Sequence, residues 1–334
     1  MENKIDFVLL WVDGNDSKWQ KEKEKYTPHK QEGASSNRYR DWNNLHYWFR
    51  GVEKYASWVN RIHFVTYGHL PKWLNTEHPK LNIVKHSDFI PNEYLPTFSA
   101  NPIELNLHRI EGLSDHFVYF NDDMFIINEV EPTVYFQNGL PCDSARMCQL
   151  PTVPQSMFHH ILLNDISALN KNFNKYHVVK NNLSKFMNFR YGVKSSLKNL
   201  LYTIIDKNEF SSFIYDHLPA PYLKVTLENA WEKLGDELEG TSKNKFRSMD
   251  DINQYIFRYW QFARGQFYPN NMDEYGKGFS IPNDLEEIYN AIKQQEYKMI
   301  CINDNDENIN FEATVKELNK HFDKIFPEKS SFEL

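Results

Sequence analysis

Three short stretches of the chain share one chemical pattern, an apolar run that breaks off into carboxylates and amides. "WVDGND" places Asp13, Asn15 and Asp16 after the run that begins at Ile5; "FNDD" places Asn121, Asp122 and Asp123 after "HFVY"; "CINDND" places Asp304 and Asp306 at the end of the run that begins at Met299. Clustered carboxylates repel one another unless a cation joins them. A small set of hard oxygen donors suits Mg²⁺ or Mn²⁺, which keep part of their water and bridge to substrate phosphates. The same residue types also make turns and cap helices without any ligand.

Two further groups could do chemistry. In "LPTFSANPIELNLHRIEG", Ser99, Asn101, Glu104, His108 and Arg109 surround the start and face of one expected helix, with Glu104 and His108 four residues apart. A helix N-terminus of this kind receives a phosphate or a sugar hydroxyl, though plain capping explains Asn101 equally well. His217 lies in "YDHLPAPYLKVT", where two prolines restrict the backbone, and Arg247 lies in "NKFRSMDD". A positioned imidazole can take a proton from an attacking hydroxyl, and a guanidinium matches phosphate bidentately; Arg247 could instead pair with the nearby Asp250.

The elements that must position these groups are legible in outline. "IDFVLLWV" (5–12), "RIHFVTYG" (61–68), "LNIVKHSDFI" (81–90) and "HFVYFND" (116–122) read as buried strands. Residues 41–56 read as an amphipathic helix that Asp41 can cap, and 101–112 as a helix closed by Gly112. Alternating strands and helices predict an α/β fold, a Rossmann-like, mostly parallel sheet flanked by helices. In such sheets ligands gather beyond the carboxyl ends of the strands, where all three acidic stretches are expected to meet at one rim. From about 155 to 267 the pattern is helical with no convincing strand, predicting a helical insertion or cap; 296–306 then gives a last strand and Phe311 to Ile325 a closing helix. The expected division is 1–150 with 270–334 as an α/β catalytic core and 151–269 as a mainly helical insertion contributing to the site.

Composition narrows the functional classes. The chain has 334 residues, 41% hydrophobic, with a formal net charge of −7 and its basic residues scattered, which argues against a nucleic-acid partner. No apolar run reaches the length of a membrane span, the N-terminus lacks the features of a signal peptide, and the three cysteines have no metal-ligand spacing. These features predict a cytoplasmic protein. Aromatic residues make up 15% of the chain, which serves a large core and also suits sites that stack sugars or bases.

Four blocks carry a resemblance to a known family: "IDFVLLWVDGND"; the long run from "RYRDWNNLHYWFRGVEKYASWVNRIHFVTYG" to "LPTFSANPIELNLHRIEGLSDHFVYFNDDMF"; "DHLPAPYLKVTLENAW" with "KFRSMDDINQYIFRYW"; and "CINDN". Together they resemble the Stealth family of sugar-1-phosphate transferases, which act in capsule and cell-surface polysaccharide synthesis. The resemblance implies transfer of hexose-1-phosphate from a UDP-sugar to a glycan hydroxyl, forming a phosphodiester and releasing UMP. It implies Mg²⁺ or Mn²⁺ as cofactor, held by Asp123 and Asp304; His217, Arg247 and Asp122 as the catalytic set; and Asp13, Ser99, Asn101, Glu104, His108 and Arg109 on the donor side. A lipid-linked glycan acceptor at the inner face of the membrane, with peripheral association of the enzyme, is a further implication.

His217 could serve either as general base or as a covalent nucleophile, and the residues alone leave both open. Two other functions compete. A metal-dependent glycosyltransferase would use the same acidic rim but break the anomeric C–O bond and release UDP. A non-catalytic carbohydrate-binding protein would carry the same residues without turnover.

Overall fold

The computed structural model describes residues 3–27, 39–151, 153–205, 207–304 and 309–334; Asp306 of the third acidic stretch lies outside them. The strands in chain order are β1 (Ile5–Leu10), β2 (Ile62–Thr66), β3 (Leu81–Lys85), β4 (His116–Phe120), β5 (Met124–Ile126), β6 (Phe136–Gln137), β7 (Leu140–Asp143), β8 (Ala220–Leu223), β9 (Tyr268–Pro269), β10 (Gly276–Ile281) and β11 (Met299–Asp304). The principal sheet has the order β3-β2-β1-β4-β8, parallel except for β8. This is an α/β fold with helices on both faces of a mostly parallel sheet.

β1 is buried along its whole length, as a central parallel strand covered on both faces requires. Strand alternation sends its side chains to two cores. Phe7 and Leu9 join Trp48 and Phe49 of the helix Leu45–Tyr55 and Phe322 of the helix Phe311–Ile325, while Val8 and Leu10 join Leu105, Tyr222, Ile256 and Trp260 on the other face.

A second sheet, β10-β11-β5, pairs β10 with β11 in parallel and β11 with β5 antiparallel. Only Asn121, Asp122 and Asp123 separate β4, in the first sheet, from β5, in the second. Gly51 lets the helix Leu45–Tyr55 approach β5 closely: a Cβ there would stand 2.3 Å from the Ile126 carbonyl oxygen.

Three expectations are corrected. The last acidic stretch does not end a strand of the first sheet, because β11 belongs to the second; two sheet edges meet where a single rim was expected. The segment 155–267 contains a strand, β8, whose register with β4 (Pro221 opposite Val118) places a proline on an edge where its missing N–H costs no ladder bond. The helix expected over 101–112 stops at Leu105 and resumes as a 3₁₀ turn, Leu107–Arg109. Asn106 interrupts it by donating its side-chain amide to the Pro102 carbonyl and to Ser242 Oγ. Glu104 and His108 consequently do not share a helical face.

Candidate active site

The turn between the two sheets carries the centre of the site. Asp123 Oδ1 is buried with no hydrogen-bond partner, and the Asp123 carbonyl accepts from the Ile302 N–H at 2.9 Å. Ligand atoms of Asp123, His217 and Cys301 all lie within 4.8 Å of one another. His217 Nδ1 faces Cys301 Sγ at 3.6 Å, and Asn303 donates to that sulfur from the other side at 3.6 Å. Burial pushes the Asp123 carboxyl up, partly offset by His217 and Cys301. Burial and the Asp123 charge push the Cys301 thiol far above its usual range, so it remains an S–H. Asp122 reaches solvent beside this cluster; crowding by the chain, then repulsion from Asp123, raises it to about 7.

A hydrogen-bonded chain approaches His217 from the other side. The Tyr119 hydroxyl stands 2.7 Å from Glu104 Oε1 and 2.5 Å from Asn121 Oδ1. One hydroxyl hydrogen cannot serve both acceptors. Burial raises the Glu104 pKa, and with a proton on Glu104 the count would close: Glu104 would donate to Tyr119 and Tyr119 to Asn121, while Glu104 Oε2 accepts from the Gln254 N–H. The Asn121 amide nitrogen then faces His217 Nε2 at 3.5 Å, leaving that nitrogen the acceptor and Nδ1 the protonated one. Glu104→Gln is accordingly expected to be tolerated, because an amide supplies the same donor and acceptor. Glu104→Ala should cost about 1–3 kcal/mol by stranding buried partners. Urea denaturation of both variants checks this, and equal losses would show Glu104 to be ionised.

His217 is fixed through its neighbour. Asp216 accepts from Arg146 at 3.0 Å and lies 4.0 Å from Arg258, which donates to both oxygens of Asp143 at 2.7 and 2.8 Å; Arg146 also binds Asp273. These alternating charges tie β7 and the helix Tyr255–Ala263 to the loop bearing His217. Beside them opens a cleft of about 500 Å³ lined by Tyr215, Asp216, His217, Phe279, Tyr297 and Asn303, among others.

The remaining expected residues divide. Asn101 donates to Asp251 at 2.8 Å, and Arg247 makes no ion pair with Asp250 but lies within electrostatic reach of Asp251 and Glu104. Ser99 precedes the helix Ala100–Leu105 with its Oγ buried and unpartnered. His108 and Arg109 pack against Trp231, Arg109 donating to Asn106 at 3.0 Å, and burial drives the His108 pKa down to about 3. Asp13 closes a local turn by accepting from the Asn15 N–H at 2.9 Å, and Asp16 caps the helix Ser17–Tyr26 through the Trp19 N–H at 2.7 Å. The capping alternative thus accounts for Asp16. Asp304 is outside the Asp123 cluster, its carboxylate 3.5 Å from Arg40, because β11 sends Cys301 and Asn303 to one face and Asp304 to the other. Cys301, Tyr119 and Asn303 were missed by sequence reading, their only signal being their position inside the quoted strand-end blocks, whereas Asn121 was read together with the acidic pair.

A hard divalent cation fits part of this cluster. The orphaned Asp123 oxygen and the open Asp122 carboxylate are suitable donors, whereas a neutral thiol and an imidazole are not those that Mg²⁺ selects.

Comparison with known proteins accords with this architecture. Stealth protein conserved regions 1, 2 and 4 match residues 3–31, 38–143 and 290–334. Relatives include a capsular polysaccharide phosphotransferase, WcwK, of Streptococcus pneumoniae, 42% identical over 99% of this chain and 98% of its own. The receptor polysaccharide phosphotransferase WefC of Streptococcus gordonii is 40% identical over the whole of both chains, and the exopolysaccharide phosphotransferase cps2G of Lactiplantibacillus plantarum 39% identical over 98% and 96%. Among solved structures, the galactosyltransferase LgtC covers 98% of both chains at a TM-score of 0.43 and 8% identity, too remote to bear on the site. The chain is an α/β enzyme of the transferase class. It belongs to the Stealth family.

Proposed function

We propose that this enzyme transfers hexose-1-phosphate from a UDP-sugar to a hydroxyl of a glycan acceptor, forming a phosphodiester and releasing UMP, in capsule or cell-surface polysaccharide synthesis. The observation that carries the reading is the meeting of His217 with the acidic turn Asp122–Asp123 beside a cleft open to an acceptor. Phosphoryl transfer asks chiefly for positioning and for charge neutralisation, and these groups supply both.

In this reading Asp123 and Asp122 would hold Mg²⁺ or Mn²⁺, whereas Asp304, expected to share the ion, stands on the other face of β11 beside Arg40. A cation held there would supply charge neutralisation for the donor diphosphate. Arg247, near the buried Asn101, Glu104 and Asp251, faces the phosphoryl oxygens, with Ser99 in the same region. His108, Arg109 and Asp13 act as supports of that region, since their observed contacts are internal. The acceptor glycan occupies the cleft, where Tyr215, Phe279 and Tyr297 offer stacking faces and Asp216 accepts sugar hydroxyls. His217 Nε2 takes the proton of the attacking hydroxyl.

Purified enzyme incubated with Mg²⁺, a panel of UDP-hexoses and UDP-N-acetylhexosamines, and acceptor glycans is expected to release UMP and leave phosphate in the product. Release of UDP with an ordinary glycoside would instead make it a metal-dependent glycosyltransferase.

A further inference from the structure

The helix Val193–Ile205 is built inside out. Its buried residues are polar: Ser196, Asn199 and Thr203. Asn199 donates to the carbonyls of Ala145 and Phe186 at 2.8 and 2.7 Å and accepts from the Met147 N–H at 2.8 Å, while Ser196 donates to the Asn188 carbonyl at 2.8 Å. Its outward face is apolar. Val193, Leu197, Leu201 and Ile204 are 53–60% exposed, Ile205 is 72% exposed, and Phe189 in the preceding turn is 78% exposed. A helix of a water-soluble surface does the reverse, and the polar bonds show that this one is anchored in its orientation.

Charge identifies what covers this face. Although the chain is acidic overall, no Asp or Glu occurs between Asp165 and Asp206, while Lys180, Arg190, Lys194 and Lys198 lie exposed within that interval. At about 100° per residue, Lys194 and Lys198 fall at one edge of the apolar stripe. A second copy of the chain laid on this face would bring its own lysines against these. Anionic headgroups would be attracted to them while the stripe enters the acyl boundary. We propose that the outer face of the helix Val193–Ile205, with Phe189, is a docking surface for an anionic lipid bilayer. Among the described residues no helix is long and apolar enough to cross a membrane, and an interfacial helix needs no such span.

The surface is independent of the reaction assigned above but adjoins its cleft. Asn199 holds the residues on either side of Arg146, and Arg146 binds Asp216 and Asp273, both of which line the cleft.

Sedimentation with vesicles tests the proposal. The full chain is expected to pellet with vesicles containing phosphatidylglycerol, to bind pure phosphatidylcholine vesicles at least about tenfold less, and to be released by salt. L197D combined with I204D should lower partitioning about tenfold or more, with circular dichroism unchanged; K194E combined with K198E should weaken it and remove the salt dependence. Failure to bind anionic vesicles, or binding indifferent to both pairs of substitutions, overturns the proposal. So does a dimer in analytical ultracentrifugation that L197D and I204D dissociate, since a second copy would then be the occupant.

Discussion

His217→Ala is expected to lower turnover by about 10²–10⁴-fold, the range of a lost general base, while donor binding persists. The asymmetry follows from geometry. Nε2 faces Asn121 and Nδ1 faces a thiol that burial keeps protonated, while Asp123 lies within 4.8 Å without an ion-pair contact, so the imidazole is not spent on a structural ion pair. Donor contacts are assigned to Arg247 and the acidic turn, which alanine at 217 leaves in place. Isothermal titration with UDP-sugar and Mg²⁺, beside steady-state rates, separates the two effects. Loss of donor binding in a folded variant would remove His217 from the role of base. The alternative of a covalent phosphohistidine is decided by stereochemistry at phosphorus: direct attack inverts once, whereas two displacements restore the configuration.

The second large effect is on stability. Arg258 is buried in the helix Tyr255–Ala263, and its guanidinium satisfies both oxygens of the buried Asp143 and the Ile214 carbonyl at 2.8 Å. Arg258→Met removes the cation and leaves the enclosed Asp143 carboxylate with only the Ser144 N–H, a change that costs about 3–5 kcal/mol where one member of a buried ion pair is deleted. Urea denaturation should show the midpoint falling with little change in slope. Replacing Asp143 by Leu in the same variant should recover much of the loss, because two matched apolar groups bury no orphaned charge. Failure of the double variant to recover would mean that Arg258 acts through Asp216 and the His217 loop more than through Asp143.

How far the sequence discloses these arrangements depends on the range of the interaction. β1, β2 and β4 are legible because a parallel strand covered on both faces is written as a continuous apolar run. The helix Phe311–Ile325 is legible from its own period. β5 is three residues long and is stabilised by pairing with β11, more than 170 positions away by the register Met124 opposite Cys301, so nothing local announces it. The acidic pair was found because its residue types are unusual after a strand. Tyr119, a strand aromatic like many others, becomes part of the site only through Glu104 and Asn121. Asp13 and Asp16 looked equivalent to Asp122 and Asp123 because a turn and a ligand use the same side chains. In the helix Val193–Ile205 the period was plain, but periodicity cannot say which face is turned inward.

The link between the two sheets also sets when the enzyme can exist during its own synthesis. Asp123 is held by Ile302, and Cys301 and Asn303 complete the surroundings of His217, so the site waits for a strand made long after the turn it completes. The first sheet has all its strands once Leu223 is made; the second has none that can pair with Met124–Ile126 until Met299–Asp304 emerges. Closure over so long an interval of sequence is entropically slow. A nascent chain therefore carries a formed scaffold and an unassembled centre until Met299–Asp304 has been made.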